Sequence, residues 1–383
     1  MTAPAADQPL VSIIIPCYNT GRYLATAIRS ALRQTNANVE VVVIDDGSTD
    51  NSAEVAKSFK DERVRYIHQD NQGLSAARNS GMREALGAFF CFLDADDWLM
   101  PEKSETQVAY MQQHPDVGLV AGEYLRCDEH GVELSRGCSK PGQVDPKELL
   151  VASLWPVNAA LVRRWWAERA GPFDISLRAG EDWDFFCRLA ILGCRMEILP
   201  GLVCAYRTLP GSMSSNHRQQ TANMTRVVEK TFSHPQMPSS LAVLKPQSLA
   251  RTFMLGAVRS YAGRDAAAGK EYLAEALEAN PALQATAYRE LLSMTIARAL
   301  GHLAEPPDEL LRRIFENLPD GLAGLRKNED EALFFFRKAR AFRFLKKGRH
   351  GHFVVGIASL ALRQPAMFLR YALGKLPDPT RAL

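Results

Sequence analysis

The 383-residue sequence predicts an α/β protein, a doubly wound and mostly parallel sheet followed by an all-α region. Two observations predict it. Short, continuous apolar runs alternate with stretches of helical spacing through the first half, whereas long helical patterns with few strand signals fill the chain from about Gln219 onward.

The elements follow in order. Val11 to Ile15 is a β-branched run ending at Pro16, and Gly21 to Gln34 follows with Leu24, Ala27, Ile28, Ala31 and Leu32 at helical spacing. Val39 to Ile44 is a continuous apolar run, the pattern of a strand covered on both faces, with Asp45, Asp46, Gly47 and Ser48 as its turn. Val64 to His68 and Phe89 to Leu93 add two strands, separated by a helix-compatible stretch from Leu74 to Leu86. Glu181 to Leu192 is a later helix with Trp183, Phe186 and Ala190 on one face. In sheets of this kind ligands sit beyond the carboxyl ends of the strands. Tyr18, Asp45 with Asp46, and Asp94 with Asp96 all lie beyond such ends.

Three parts are expected: an α/β domain over 1–216, a connector over 217–246 that is proline-rich from His234 to Pro246, and a helical domain over 247–383. Tyr261 to Pro281 and Arg349 to Pro365 each run small residues and leucines into a proline, similar to a tetratricopeptide helix pair. The helical region is therefore repeat-like, although two copies do not make a solenoid.

A hydrophobic content of 46% and a charged content of 23% exclude wholesale disorder. The net charge of +3 conceals an asymmetry: Glu331 to Leu383 carries +9, which leaves residues 1–330 at −6. This basic tail has two readings. Phe334, Phe335, Phe336, Phe342 and Phe344, interleaved with Arg337, Lys338, Arg340, Arg343, Lys346 and Lys347, either lie on an anionic membrane surface or pack a helical bundle. Nucleic acid is not expected, because no recognised binding module accompanies the charge.

Seven cysteines, with no CxxC pair, read as small core residues in a reducing compartment. Met1 to Pro9 lacks a basic and an apolar region, so no secretory signal is expected. No run reaches the roughly 20 apolar residues of a spanning helix. The expectation is a cytoplasmic protein, or one peripheral on the inner face of the membrane.

Asp94 and Asp96 directly follow the run Phe89 to Leu93, so two carboxylates one residue apart emerge from a strand end. A divalent cation that also coordinates phosphate oxygens takes only one or two carboxylates from the protein. Asp97 lengthens the acidic run, and the sequence leaves open whether Asp96 or Asp97 faces the cation. The chain has no GxGxxG and no GxxxxGK[ST], which argues against a dinucleotide enzyme and a P-loop NTPase.

The segments VSIIIPCYN (11–19), VVVIDDGSTD (41–50), NQGLSAARNSG (71–81), FLDADD (92–97) and GEDWDF (180–185) stand in one order and spacing. On these segments residues 11 to about 216 resemble the family 2 glycosyltransferases, which have the GT-A fold. The resemblance implies an inverting transfer from a nucleotide-diphospho sugar donor to a glycan or lipid-linked acceptor, assisted by Mn²⁺ or Mg²⁺. It implies that Pro16 and Tyr18 border the base, and that Asp45 or Asp46 accepts a base N–H or a ribose hydroxyl. Arg78 is implied near the diphosphate beside Asn79, Asp94 near ribose and metal, and Asp96 as the metal ligand, with Asp94 and Asp97 as further candidates. Asp182, with Glu181 beside it, is implied as the base that takes the acceptor proton. Arg207 and the segment Pro210 to Ser214 are implied to close over the donor, although Leu209 stands where several relatives carry His. Trp155, Pro156, Asn158 and Trp183 are candidates for the acceptor pocket.

Each candidate has a plainer reading. Asp46 to Ser48 also suits a simple turn, Arg78 a surface ion pair, Glu181 and Asp182 the helix dipole, and Trp155 the core. Two other functions compete. A nucleotidyltransferase that makes nucleotide sugars also needs an acidic rim, but it usually carries a glycine-rich basic loop where this chain has Pro16 to Thr20. A catalytically silent scaffold would bind partners through the helical region.

Overall fold

The structure is a computed structural model that describes residues 9–36, 38–137, 140–209, 216–301, 307–346 and 350–373. The chain divides into two compact units, Met1–Ser215 with Asn223–Lys245, and Asn216–Ala222 with Pro246–Leu383.

The first unit is built on one ten-stranded sheet: β1 (Val11–Cys17), β2 (Val39–Asp46), β3 (Val64–Gln69), β4 (Phe89–Phe92), β5 (Trp98–Leu99), β6 (Val117–Cys127), β7 (Glu133–Gly137), β8 (Gly142–Gln143), β9 (Leu161–Arg163) and β10 (Arg195–Arg207). The order is β3-β2-β1-β4-β9-β6-β10-β5, with β7 beside β6 and β8 beside β10. Its helices are α1 (Gly21–Leu32), α2 (Ser52–Ser58), α3 (Leu74–Glu84), α4 (Lys103–Gln113), α5 (Pro146–Val151), α6 (Arg164–Ala170) and α7 (Glu181–Ile191).

The apolar runs explain the centre of the sheet. Every residue of β1 and β2 is buried, as β-branched strands covered on both faces must be. Strands β3, β2, β1 and β4 are parallel, as the alternation predicts. Cys17 pairs with Asp45, and the Leu93 amide donates to the Ile14 carbonyl, so β2, β1 and β4 end along one edge. The other half is mixed. β9 runs antiparallel to β4 and β6, while β6 and β10 pair in parallel through register shifts near Pro200 and Gly201.

Helix α8 (His217–Phe232), with its first turns in the second unit, and the short α9 (Ser239–Ala242) occupy much of the stretch expected as a connector. The second unit continues with α10 (Lys245–Ala262), α11 (Ala266–Ala279), α12 (Ala287–Gly301), α13 (Pro307–Glu316), α14 (Glu329–Lys346), α15 (His350–Arg363) and α16 (Pro365–Ala372). Its core gathers Met254, Tyr261, Leu291, Leu311, Ile314 and Leu360 around Phe334, Phe335 and Phe336. This corrects the bilayer reading for those three phenylalanines. Consecutive helical residues point about 100° apart, so three in a row are buried only when neighbours enclose the helix, and α12, α13 and α15 pack on α14. Phe342 is exposed. The side chain of Phe344 lies outside the described residues.

Candidate active site

The site is assembled at the edge where the parallel strands end. At β2, Asp45 and Asp46 both turn inward and organise the surrounding loops. Asp45 accepts from the Ser48 amide at 2.9 Å and the Tyr66 hydroxyl at 2.6 Å. Burial alone would raise its pKa, but these bonds from Ser48 and Tyr66 hold the carboxyl below its ordinary value. Asp46 accepts from Gln69 Nε2 at 2.6 Å, the Gln72 amide at 3.0 Å and the Gly73 amide at 2.7 Å, and so shapes the loop that enters α3.

The neighbouring loop is bound to the same turn. Asn19, at a left-handed φ of 51°, accepts from the Thr49 and Asp50 amides, while Asp50 accepts from Gly21 and Ser52. Tyr18, immediately before, is left with half of its surface exposed, whereas Pro16 is buried within β1.

Next along the edge, Asp94 and Asp96 follow β4 and are both half-buried. Burial, then the charge of Asp94, pushes the Asp96 carboxyl up to about 6. Asp97 points the other way. It is 1% exposed, and its two oxygens accept from the Arg207 amide at 2.6 Å and from Asn158 Nδ2 at 2.7 Å. Burial, then the charges of Asp96 and Asp94, hold it well above the ordinary carboxyl range.

Arg207 completes the lock on this turn. Its Nε donates to the Asp96 carbonyl at 2.8 Å and Nη1 to the Glu129 carbonyl at 2.8 Å, with the guanidinium between the Tyr23 and Trp98 rings.

Helix α3 carries Arg78 into the centre. A Cβ at Gly81 would meet Ile14 Cγ2 at 2.2 Å, so glycine is what lets α3 lie this close to β1. Arg78 is 1% exposed, bonds Asp94 at 2.7 Å and Glu181 at 2.5 Å, and lies over the Phe173 ring. Burial opposes its charge, but Asp94 and Glu181 together hold the guanidinium above its ordinary pKa. Asn79 exchanges two hydrogen bonds with the Phe173 backbone, fixing the segment that leads toward α7.

Helix α7 opens at Gly180, whose φ of +76° suits glycine and where a Cβ would come 3.0 Å from Met224 Sδ. Its first turn bears three acids, a placement the helix dipole favours. They are used differently. Glu181 is pinned by Arg78, and Asp184 is buried between Arg188 and Lys230. Asp182 is half-buried and accepts from the Trp183 amide at 2.8 Å. Burial, then the charge of Glu181, pushes Asp182 up to about 7 against the pull of Arg78.

Four expected site residues turn inward instead. Asp97 and Asn158 bond each other beneath the turn, Trp183 donates to the Leu149 carbonyl, and Trp155 packs on Phe186. Pro210 to Ser214 lie outside the described residues. Tyr66, Gln69, Asn19 and Asp50, which build the rim, were not singled out as site residues in the sequence, although Asn19 and Asp50 close two of the segments that carry the resemblance and Asp50 has Asx-type spacing to Ser52.

The donor set suits a divalent cation shared with a diphosphate. Among the described residues no group of three or more His, Cys, Asp or Glu is placed to hold a metal. What the protein offers is Asp94 and Asp96, two hard oxygen donors at a partly open edge. Mg²⁺ is commonly held this way, by one or two carboxylates with phosphates completing its shell.

The family described as Glycosyl transferase family 2 matches residues 12–144, which include both acidic turns and Arg78. Over residues 12–144 the chain is thus similar to glycosyltransferase family 2. An uncharacterized glycosyltransferase of Haemophilus influenzae is 38% identical over 161 residues, 41% of this chain and 64% of that protein. The glycosyltransferase GlyG of Streptococcus pneumoniae is 41% identical over 123 residues, 31% of this chain and 40% of that protein. The chain thus spans less than two thirds of these curated relatives. Staphylococcus aureus TarS 1–349 in complex with UDP is 17% identical with a TM-score of 0.53, covering 88% of this chain and 92% of that one. The mannosyltransferase PcManGT of Pyrobaculum calidifontis, in complex with GDP-Man and Mn²⁺, is 20% identical with a TM-score of 0.51, covering 82% and 88%. The likeness to these solved structures shows the GT-A fold.

Proposed function

We propose that this chain is an inverting glycosyltransferase that moves a sugar from a nucleotide-diphospho sugar to a hydroxyl of a glycan or lipid-linked acceptor, with Mn²⁺ or Mg²⁺. The observation that carries the reading is Arg78, whose two ion pairs tie Asp94 of the acidic turn to Glu181 at the start of α7. The UDP-sugar and GDP-Man complexes of the structural neighbours support a donor of this class. The family match supports the placement of the donor over residues 12–144.

In this reading Tyr18 and Pro16 border the base, and Asp45 and Asp46 hold the loops that receive base and ribose. Asp94 and Asp96 would hold the cation, because Asp97 has both oxygens engaged inside the protein. When bound, the cation supplies Lewis-acid stabilisation of the charge developing on the leaving diphosphate. Asp182 accepts the proton of the acceptor hydroxyl as that oxygen bonds to the anomeric carbon. The anomeric carbon–phosphate oxygen bond breaks on the opposite face, and the nucleoside diphosphate leaves with the electron pair. Glu181 is held by Arg78 and is a positioning residue. Arg207, Asn158 and Asp97 hold the acidic turn from below, and Trp155 and Trp183 support α7 from the core. The 1–216 region carries the chemistry and 247–383 the attachment to other components, with a place on the inner face of the membrane.

The test is a screen of nucleotide sugars for metal-dependent release of nucleoside diphosphate. Turnover with one donor, lost in Asp96→Asn and in Asp182→Asn, is expected. Full activity in Asp182→Asn would remove the base, and no turnover with any donor would favour a scaffold.

A further inference from the structure

The outer faces of α15 and α16 are apolar where a soluble helix is ordinarily polar. On α15, Val354, Val355, Ala358 and Leu362 fall within one arc of roughly 100°, opposite Ile357 and Leu360, which face the core. On α16, Leu369, with Ala366 before it and Leu373 at the C-cap, points away from Met367, Phe368 and Tyr371, which pack inward. Val354, Val355, Leu362, Leu369 and Leu373 are between 59% and 83% exposed. Single exposed leucines are commonplace; five on two consecutive helices form a patch.

The stretch of sequence that carries this patch has charge of one sign. From Ala332 to Pro377 the sequence holds ten Lys and Arg and no Asp or Glu. Arg363 and Arg370 are exposed on the same two helices. No helix of the described residues is long and apolar enough to cross a membrane.

We propose that the second unit docks on an anionic membrane surface through the outer faces of α15 and α16, with Val354, Val355, Leu362, Leu369 and Leu373 entering the headgroup boundary and Arg363 and Arg370 meeting the lipid charge. The partner follows from the pairing of features. Shallow apolar insertion combined with a cationic surface is how interfacial helices bind, and each nearby Lys or Arg strengthens attraction to acidic lipid. A second copy of this chain would bring the same positive field against itself. This differs from the tail reading of the sequence, since Phe334, Phe335 and Phe336 belong to the core. The proposal rests on the second unit and does not depend on the catalytic reading.

The experiment is cosedimentation of the full chain with phosphatidylglycerol-containing vesicles and with pure phosphatidylcholine vesicles. Binding to the former, weakened by salt, is expected. The surface variant V355E/L362E/L369E should reduce the bound fraction at limiting lipid about tenfold or more, and R363E/R370E by about tenfold. Circular dichroism and nucleotide-sugar turnover in solution should be unchanged in both. Absence of binding to anionic vesicles, equal binding to both vesicle types, or unchanged binding by V355E/L362E/L369E would overturn the proposal. So would sedimentation showing a dimer that this variant disperses without any effect of lipid.

Discussion

Replacing Arg78 by Met removes one buried cation from between two carboxylates while keeping much of its volume. Arg78 is 1% exposed, and the Glu181 side chain it leaves behind is buried, while that of Asp94 is 26% exposed. Breaking a buried ion pair from one side costs about 3–5 kcal/mol, because the remaining charge cannot be solvated. For a unit of this size each kcal/mol corresponds to about 2–4 °C, so the melting transition of the first unit should fall by roughly 6–20 °C. Calorimetry of wild type and Arg78→Met measures this, and Arg78→Met/Glu181→Gln should recover at least about 1 kcal/mol of the loss. A deficit below about 1 kcal/mol, or a double variant no more stable than Arg78→Met, would refute the bridge as the element joining α3, the acidic turn and α7.

Other consequences can be measured on the same protein. Asp182→Asn should lower kcat by about 10²–10⁴-fold with donor binding retained, and wild-type kcat should rise with pH to a plateau above about 7, since the base must be deprotonated. Burial would raise Asp174, but Lys230 and Ser176 hold it at about 2, so its contribution of about 2 kcal/mol is present above the ordinary carboxyl range and disappears as pH falls toward 2; Asp174→Asn should be less stable by that amount at pH 7 in denaturant titrations and should flatten the acid limb. Phe335→Ala should destabilise the second unit by about 3–5 kcal/mol through the cavity it leaves, whereas Phe342→Ala, at an exposed position, should change stability by less than about 0.5 kcal/mol.

β1, β2 and β4 are legible because they are buried on both faces, so Val39 to Ile44 reads as one apolar run. β6 and β10 are hidden for the opposite reason. Gly118 and Gly122 interrupt the first, Pro200 and Gly201 the second, and partial exposure mixes polar residues into both. At the site, residue types are visible but directions are not. Whether Asp96 or Asp97 points outward is decided by a turn whose hydrogen bonds come from Asn158 and Arg207, 61 and 110 positions away. Arg78 likewise finds Glu181 across 103 positions, a pairing that no local pattern encodes. The phenylalanines of α14 show the same limit, since an aromatic-basic helix suits a bilayer or a bundle equally until its neighbours are placed.

The central claim is that Asp94 and Asp96, joined through Arg78 to α7, form one cation and diphosphate site. Crystals grown with UDP and Mn²⁺ test it through the anomalous scattering of manganese. One strong peak at the Asp94–Asp96 turn is expected, absent in Asp96→Asn, with Asp97 still bonded to Asn158. Manganese bound by Asp97, or at a position remote from both Asp96 and the start of α7, would contradict it.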